Sequence, residues 1–255
     1  MVMTQTGEAA VDQSCPTPRS QERPMSRLKW LIAVPVVLVV LVVGGTWVYI
    51  NVIKDDAPER LSLDDATSDD STPAGDSSGG EVDVDGEWTV AAGSETGYRV
   101  DEILFGQSTE AVGRTESVTG SLTIDGTEVS DGSFEVDMTS VTSDESRRDG
   151  QFNDRIMETS TFPTAELVLT EPIDLGEVPA DGERVSVQAT GDLTLHGVTQ
   201  SVTFDLEAQL DGDTFAVQGT IPVTFADYEI DNPSGGPAQV GDEGELEVLL
   251  VFEKA

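Results

Sequence analysis

The stretch Gly191–Leu210, GDLTLHGVTQSVTFDLEAQL, decides the architecture. Beyond Gly197, Val202, Phe204, Leu206, Ala208 and Leu210 alternate with Ser201, Thr203, Asp205, Glu207 and Gln209. A period of two puts the first set on a dry face of a strand and the second on a wet one. His196 and Gly197 stand between two such runs, where a tight hairpin needs a residue of positive φ. His196, the sole histidine of the chain, reads as a turn residue and not as a catalytic one.

Outward from this stretch the same pattern recurs between Gly- and Asp-rich breaks. Leu122 and Ile124, Phe134, Val136 and Met138, Leu167 and Leu169, and Leu246, Val248, Leu250 and Phe252 all alternate with polar residues. Regular short strands with turn signals indicate an all-β sandwich or barrel, and the pattern alone leaves both open. Helical character is confined to a turn or two within Ser143–Met157.

The formal charge of the 255 residues is −36, and residues 51–255 hold 46 acids against 9 bases. A field of that sign repels nucleic acid, which is excluded as a partner. The single cysteine, Cys15, and the single histidine leave no set of metal ligands, and no D-x-D-x-D-G loop is present. No G-x-S-x-G elbow supports a hydrolase. No metal, cofactor or reaction is expected.

Leu31–Ile50 runs for 20 residues without a charge, and a helix of that length matches a hydrocarbon core of about 30 Å. Trp30 stands at one end, Trp47 and Tyr49 at the other; Arg23, Arg27 and Lys29 precede the span. The positive-inside rule makes the N-terminus cytoplasmic and everything after the span extracytoplasmic. The expected organisation is a cytoplasmic tail over 1–29, a single transmembrane helix over 30–53, a disordered acidic linker over 54–86 and a β domain over 87–255. The linker expectation rests on 11 acids against one base between Asp55 and Asp85, a composition that buries too little apolar surface to fold.

Four separated stretches carry a family resemblance: AVGRTESVTGSLTIDG, SDESRRDGQFNDRIMETSTFPTAELVLTEPI, GDLTLHGVTQSVTFDLEA and the closing IPVTFADYEIDNPS…VGDEGELEVLLVFE. Together they resemble the YceI-like family over about residues 87–255. The tail, span, stalk and module arrangement looks like membrane-anchored members from actinobacteria. The resemblance implies an extended, lipocalin-like antiparallel β-barrel of about eight strands with a short helical connection. Studied relatives enclose polyisoprenoid or other amphiphilic lipids. Where many members carry a V-K-H-L-G-like stretch, this chain reads VDEILFG over Val100–Gly106, with Glu102 and no histidine.

The implied function is a membrane-anchored, extracytoplasmic binding protein for a hydrophobic, isoprenoid-like lipid held in the barrel. The alternative is a cell-envelope structural or adhesion module with a closed core. Candidate lining residues are Phe134, Met138, Phe152, Phe162, Leu195, Phe204, Phe225 and Tyr228. Arg147, Arg148 and Arg155 are candidate headgroup contacts, because guanidinium forks suit phosphate. Asp144, Glu145, Asp149 and Asp154 compete for them as local partners.

Overall fold

Four two-residue loops set the topology. Leu104 pairs with Gln107, Asp125 with Glu128, Leu195 with Val198 and Asp211 with Thr214. At two of these, Phe105–Gly106 and His196–Gly197, both loop residues have positive φ. That is the mirror-image turn whose twist matches the flanking strands.

The protein is described by a computed structural model covering residues 57–67 and 83–255 except 237, together with Val40, Val42, Gly44 and Gly45. The strands are β1 (Gly86–Val90), β2 (Glu95–Leu104), β3 (Gln107–Thr115), β4 (Val118–Asp125), β5 (Glu128–Asp137), β6 (Thr142–Ser143) and β7 (Thr164–Leu169). They continue with β8 (Ile173–Asp174), β9 (Arg184–Leu195), β10 (Val198–Asp211), β11 (Thr214–Thr224), β12 (Ala238–Val240) and β13 (Glu243–Lys254).

β1 and β2 lie end to end along one edge of β13, with Trp88 opposite Lys254 and Arg99 opposite Glu245. β3 and β4 lie end to end on their other side. Counting each pair as one bent strand, the ring runs β1/β2, β3/β4, β5, β7, β9, β10, β11, β13 and closes. It is an antiparallel barrel of eight strands, each beside its neighbour in sequence. Of the two folds the alternation left open, the barrel is the one formed. Closure removes the exposed edges that a sandwich would keep.

The floor is packed. Trp88 and Phe252 are 2% and 1% exposed, Leu210 is fully buried, and Phe215 lies beside both rings at centroid distances of 6.4 and 6.5 Å. Trp88 Nε1 donates to the Val84 carbonyl at 2.8 Å, which satisfies its one polar atom. The roof is the connection between β6 and β7. It contains a helix, Ser146–Gln151, and a π-helical turn, Phe152–Ile156, within the region expected to be helical.

Residues 57–67 differ from the expected linker. Leu61 and Leu63 are buried against Ala216 and Leu249 on the outer wall. Arg99 and Arg114 donate to the carbonyls of Pro58 and Glu59, and Arg184 pairs with Asp64. The compact unit therefore begins at Asp56, and for residues 57–67 the expectation of an unstructured linker is corrected. Two leucines at alternate positions, with arginines to receive the backbone carbonyls, outweigh the acidic composition around them. Residues 68–82 lie outside the described set.

Residues 1–55 form a separate unit. Its described residues, Val40, Val42, Gly44 and Gly45, are helical. The expected span over 30–53 otherwise lies outside the described residues. No helix among the described residues is long and apolar enough to cross a membrane.

Candidate functional site: an apolar cavity in the barrel

Between floor and roof the inward faces of the strands enclose a cavity of about 120 Å³. Its size follows from an alternation of large and absent side chains. Phe134 lies flat on Gly120, where a Cβ would stand 2.6 Å from its ring, and Leu206 lies on Gly219 in the same way at 2.4 Å. The glycines let these residues lean against the wall and not across the interior. Phe204, Leu206 and Ala208 all border the space, as the alternation in β10 requires. A dry engineered cavity of about 150 Å³ holds one benzene ring. The resting interior thus has room for about one isoprene unit.

One wall is open as a ladder. β7 pairs with β9 over Leu193–Gly191 and one residue beyond, and Thr170 N–H donates once more to Thr190 O at 3.0 Å. Below that point, Arg184–Ala189 of β9 have a ladder partner on the β10 side alone among the described residues. Leu167, Leu169 and Val187 border the cavity at this seam and are half-buried.

Of the eight candidate lining residues, the structure places Phe134 and Phe204 on the cavity. Met138, Phe152, Phe162, Leu195, Phe225 and Tyr228 sit in the layer above it, where the chain leaves β5, β9 and β11 and enters β7. Phe152 stacks on Tyr98 with centroids 5.2 Å apart, and Phe162 meets the His196 ring edge-on at 4.6 Å. The cavity wall also includes Leu122, Leu167, Leu169, Val187, Leu206, Leu246 and Val248. Most of these carry the same period-two signal that identified the strands, so alternation, and not aromatic character, was the informative sign.

None of the three candidate arginines borders the cavity. Arg148 pairs with Asp144 and with Glu102 of β2, the latter at 3.7 Å, and fastens the roof helix to the barrel. Arg147 and Arg155 are exposed on the same connection.

His196 occupies the expected hairpin turn, with φ 51°, and does more than decorate it. Its Nδ1 lies 3.2 Å from the Tyr228 carbonyl, and its side chain is 12% exposed. The ring therefore ties the β9–β10 turn to the segment after β11. A Cβ on Gly197, φ 76°, would meet the Phe162 ring at 2.5 Å. His196→Asn retains the left-handed backbone and is expected to cost about 1–2 kcal/mol through the lost ring contact and hydrogen bond. Gly197→Ala combines strain with a clash and is expected to cost about 2 kcal/mol or more. Urea midpoints of the two variants give the order; a cheaper Gly197→Ala would contradict the packing described.

The Tyr98 phenol is pushed up to about 12, chiefly by burial, with Arg148 opposing and Asp149, Asp144 and Glu102 adding to the rise. A raised folded-state value stabilises the fold below the free phenol's pKa of 10, and this stability is lost as pH rises from 10 through 12. Two units correspond to about 2–3 kcal/mol. Tyr98→Phe keeps the stack on Phe152 and is expected to remove that share of the alkaline loss. Equal losses in both proteins between pH 9 and 12 would refute the assignment.

Over 95 residues the chain is 38% identical to a "UPF0312 protein" of Shewanella denitrificans, a match covering 36% of this chain and 46% of that relative. The chain thus spans under half the length of that relative. A polyisoprenoid binding domain from Saccharophagus degradans, implicated in plant cell wall breakdown, superposes with a TM-score of 0.54 at 21% identity. That likeness covers 66% of this chain and 98% of the other and shows a shared fold. BcnA of Burkholderia cenocepacia gives a TM-score of 0.47 at 18% identity, over 60% of this chain and 95% of its own. Residues 88–252, the barrel from Trp88 to Phe252, match the YceI-like domain, and the chain belongs to that family.

Proposed function

We propose that this protein is a membrane-anchored, outward-facing binding protein that holds a hydrophobic, isoprenoid-like lipid inside its barrel. The observation that supports this most is the cavity itself, a hollow lined by leucine, valine and phenylalanine in a ring that side chains could have filled. Membership of the YceI-like family and the fold shared with a polyisoprenoid binding domain support the same reading. The uncharged run Leu31–Ile50 and the bases before it support the anchor.

The energetics set a minimum ligand. Burial yields about 0.8 kcal/mol per carbon, so a five-carbon unit contributes about 4 kcal/mol. Association itself costs about 4–15 kcal/mol, and two or three units are needed for measurable affinity. A chain of that length exceeds the resting cavity, so uptake requires the seam side chains to move. No reaction is proposed. The small resting volume and the packed ends favour, as a second reading, an envelope module that binds nothing.

Titration with farnesol, which carries three isoprene units, separates the two. Saturable binding at one molecule per chain is expected, with quenching or enhancement of Trp88, the one tryptophan among the described residues. No saturable binding of farnesol or a longer prenol would leave the closed-core reading. The anchor is tested separately: on intact cells, external protease is expected to reach residues 57–255 and spare residues 1–29.

A further inference from the structure

Among the described residues of the barrel unit, three large apolar side chains are exposed. Two of them, Ile103 and Phe105 at 42% and 58%, stand together at the tip of the β2–β3 hairpin. Phe105 has φ 52°, a turn position that Asn or Gly fills without strain. An aromatic ring held out of the core at such a position marks a contact surface and not a folding requirement. The tip also projects. Arg148 of the roof helix meets Glu102 at 3.7 Å, and β2 continues past that level through Ile103 and Leu104 to the turn. β13 pairs with β2 only as far as Arg99, and the short β12 takes over as partner from Glu102 to Leu104.

The first described residues of the unit fix which way this tip points. The Pro58 carbonyl accepts from Arg99, and Arg60 pairs with Glu245 at 2.5 Å, near the start of β13. Leu61 and Leu63 then pack on Leu249, and Asp64 pairs with Arg184 at the floor end of β9. Residues 58–64 thus descend the outer wall, and the chain before Pro58 arrives from the roof side. The uncharged run read as the anchor ends at Ile50, eight residues before Pro58. Fully extended, that connection spans at most about 28 Å. Phe105 lies six residues beyond Arg99, about 20 Å further along the strand direction. A tether of this reach brings the tip to the level where the apolar run ends, and any slack brings it closer.

We propose, resting on the anchor reading above, that the Ile103–Phe105 tip is a second membrane contact. It enters the headgroup layer of the leaflet from which the chain emerges and holds the barrel roof-first against it. Aromatic rings favour that layer, which accepts an apolar body beside polar groups. Arg147 and Arg155, exposed on the roof and in no ion pair among the described residues, stand at the same end to meet lipid phosphate. Asp101, Asp144 and Asp154, exposed at that end as well, offset them, so the contact is apolar and a zwitterionic surface suffices. The occupant is the bilayer and not a protein because the tether fixes what lies beyond the tip.

The test uses the full chain with Cys15→Ser in phosphatidylcholine vesicles, carrying one new cysteine with a nitrobenzoxadiazole label. Ser108→Cys places the label beside the tip, opposite Ile103, and Asp213→Cys places it at the floor turn. Nitroxide lipid labelled near the headgroup is expected to quench the tip label at least threefold more than the floor label. In the tip variant Ile103→Ser/Phe105→Asn, which keeps a residue suited to the turn, that quenching is expected to fall at least twofold. Equal quenching at tip and floor would overturn the inference. Tip quenching unchanged in the double variant would also overturn it, since the tether alone would then explain the proximity. Both results leave the anchor reading intact while the chain resists carbonate extraction from the vesicles. Release of the chain by carbonate would remove the anchor reading, and this inference with it.

Discussion

Glu247→Ala is expected to lower the unfolding free energy by about 3–5 kcal/mol, the largest single loss on the outer wall. Glu247 and Arg99 are each 4% exposed, with Arg99 Nε 2.7 Å from Glu247 Oε1. Arg114 reaches the second carboxylate oxygen at 3.1 Å, and Glu110 takes Arg99 Nη1 at 2.6 Å. Burial works against the Arg99 charge, but the hydrogen bond and charge of Glu247, with those of Glu110, prevail and raise its pKa. Removing Glu247 leaves a buried guanidinium with one carboxylate at its far end. It also frees the two arginines that hold Pro58 and Glu59. The variant should therefore lose protease resistance over residues 57–67 before it loses the barrel. Arg99→Met/Glu247→Leu removes both charges together and is expected to recover most of the loss. A Glu247→Ala variant as stable as the parent in urea would show that this network contributes nothing.

Phe204→Asp should fail to fold. The ring is 6% exposed, and an unpaired carboxylate in its place adds a desolvation cost to the roughly 3–5 kcal/mol of the lost ring. That sum is comparable with the whole stability of a domain. Leu206→Asp, two residues along the same face, should behave differently. Leu206 pairs with Val187 at the seam and is half-buried, so a carboxylate there can reach water. The far-ultraviolet circular dichroism of this variant should match the parent while farnesol binding is lost. Retained binding in folded Leu206→Asp would place the guest elsewhere.

The two substitutions also show what sequence could and could not disclose. Alternation along Val202–Leu210 is a local property, so the strands, the His196–Gly197 turn and the short helical connection were all readable. Height along the barrel is not local. Met138, Phe152, Leu195 and Tyr228 are as apolar as Phe134 and Phe204, yet they end up in the roof because of where each strand stops. That depends on register, and register around the barrel is fixed by pairings such as Trp88 with Lys254 that join strands far apart in sequence. The wall residues Leu167, Leu169, Leu246 and Val248 were visible as strand residues but not as lining, since size drew attention to the aromatics. Residues 57–67 were obscured for another reason. Their composition is that of a solvated linker, and the apolar patch of Ala216 and Leu249 that receives Leu61 and Leu63 exists only after the barrel has closed.

The most direct test of an interior that holds a guest is native mass spectrometry of the full chain purified from its own host. A mass above that of the polypeptide by one isoprenoid is expected, released by organic extraction and restored by adding farnesol. A bare polypeptide mass, unchanged after incubation with farnesol or a longer prenol, would contradict it and leave a barrel whose hollow is packing space alone.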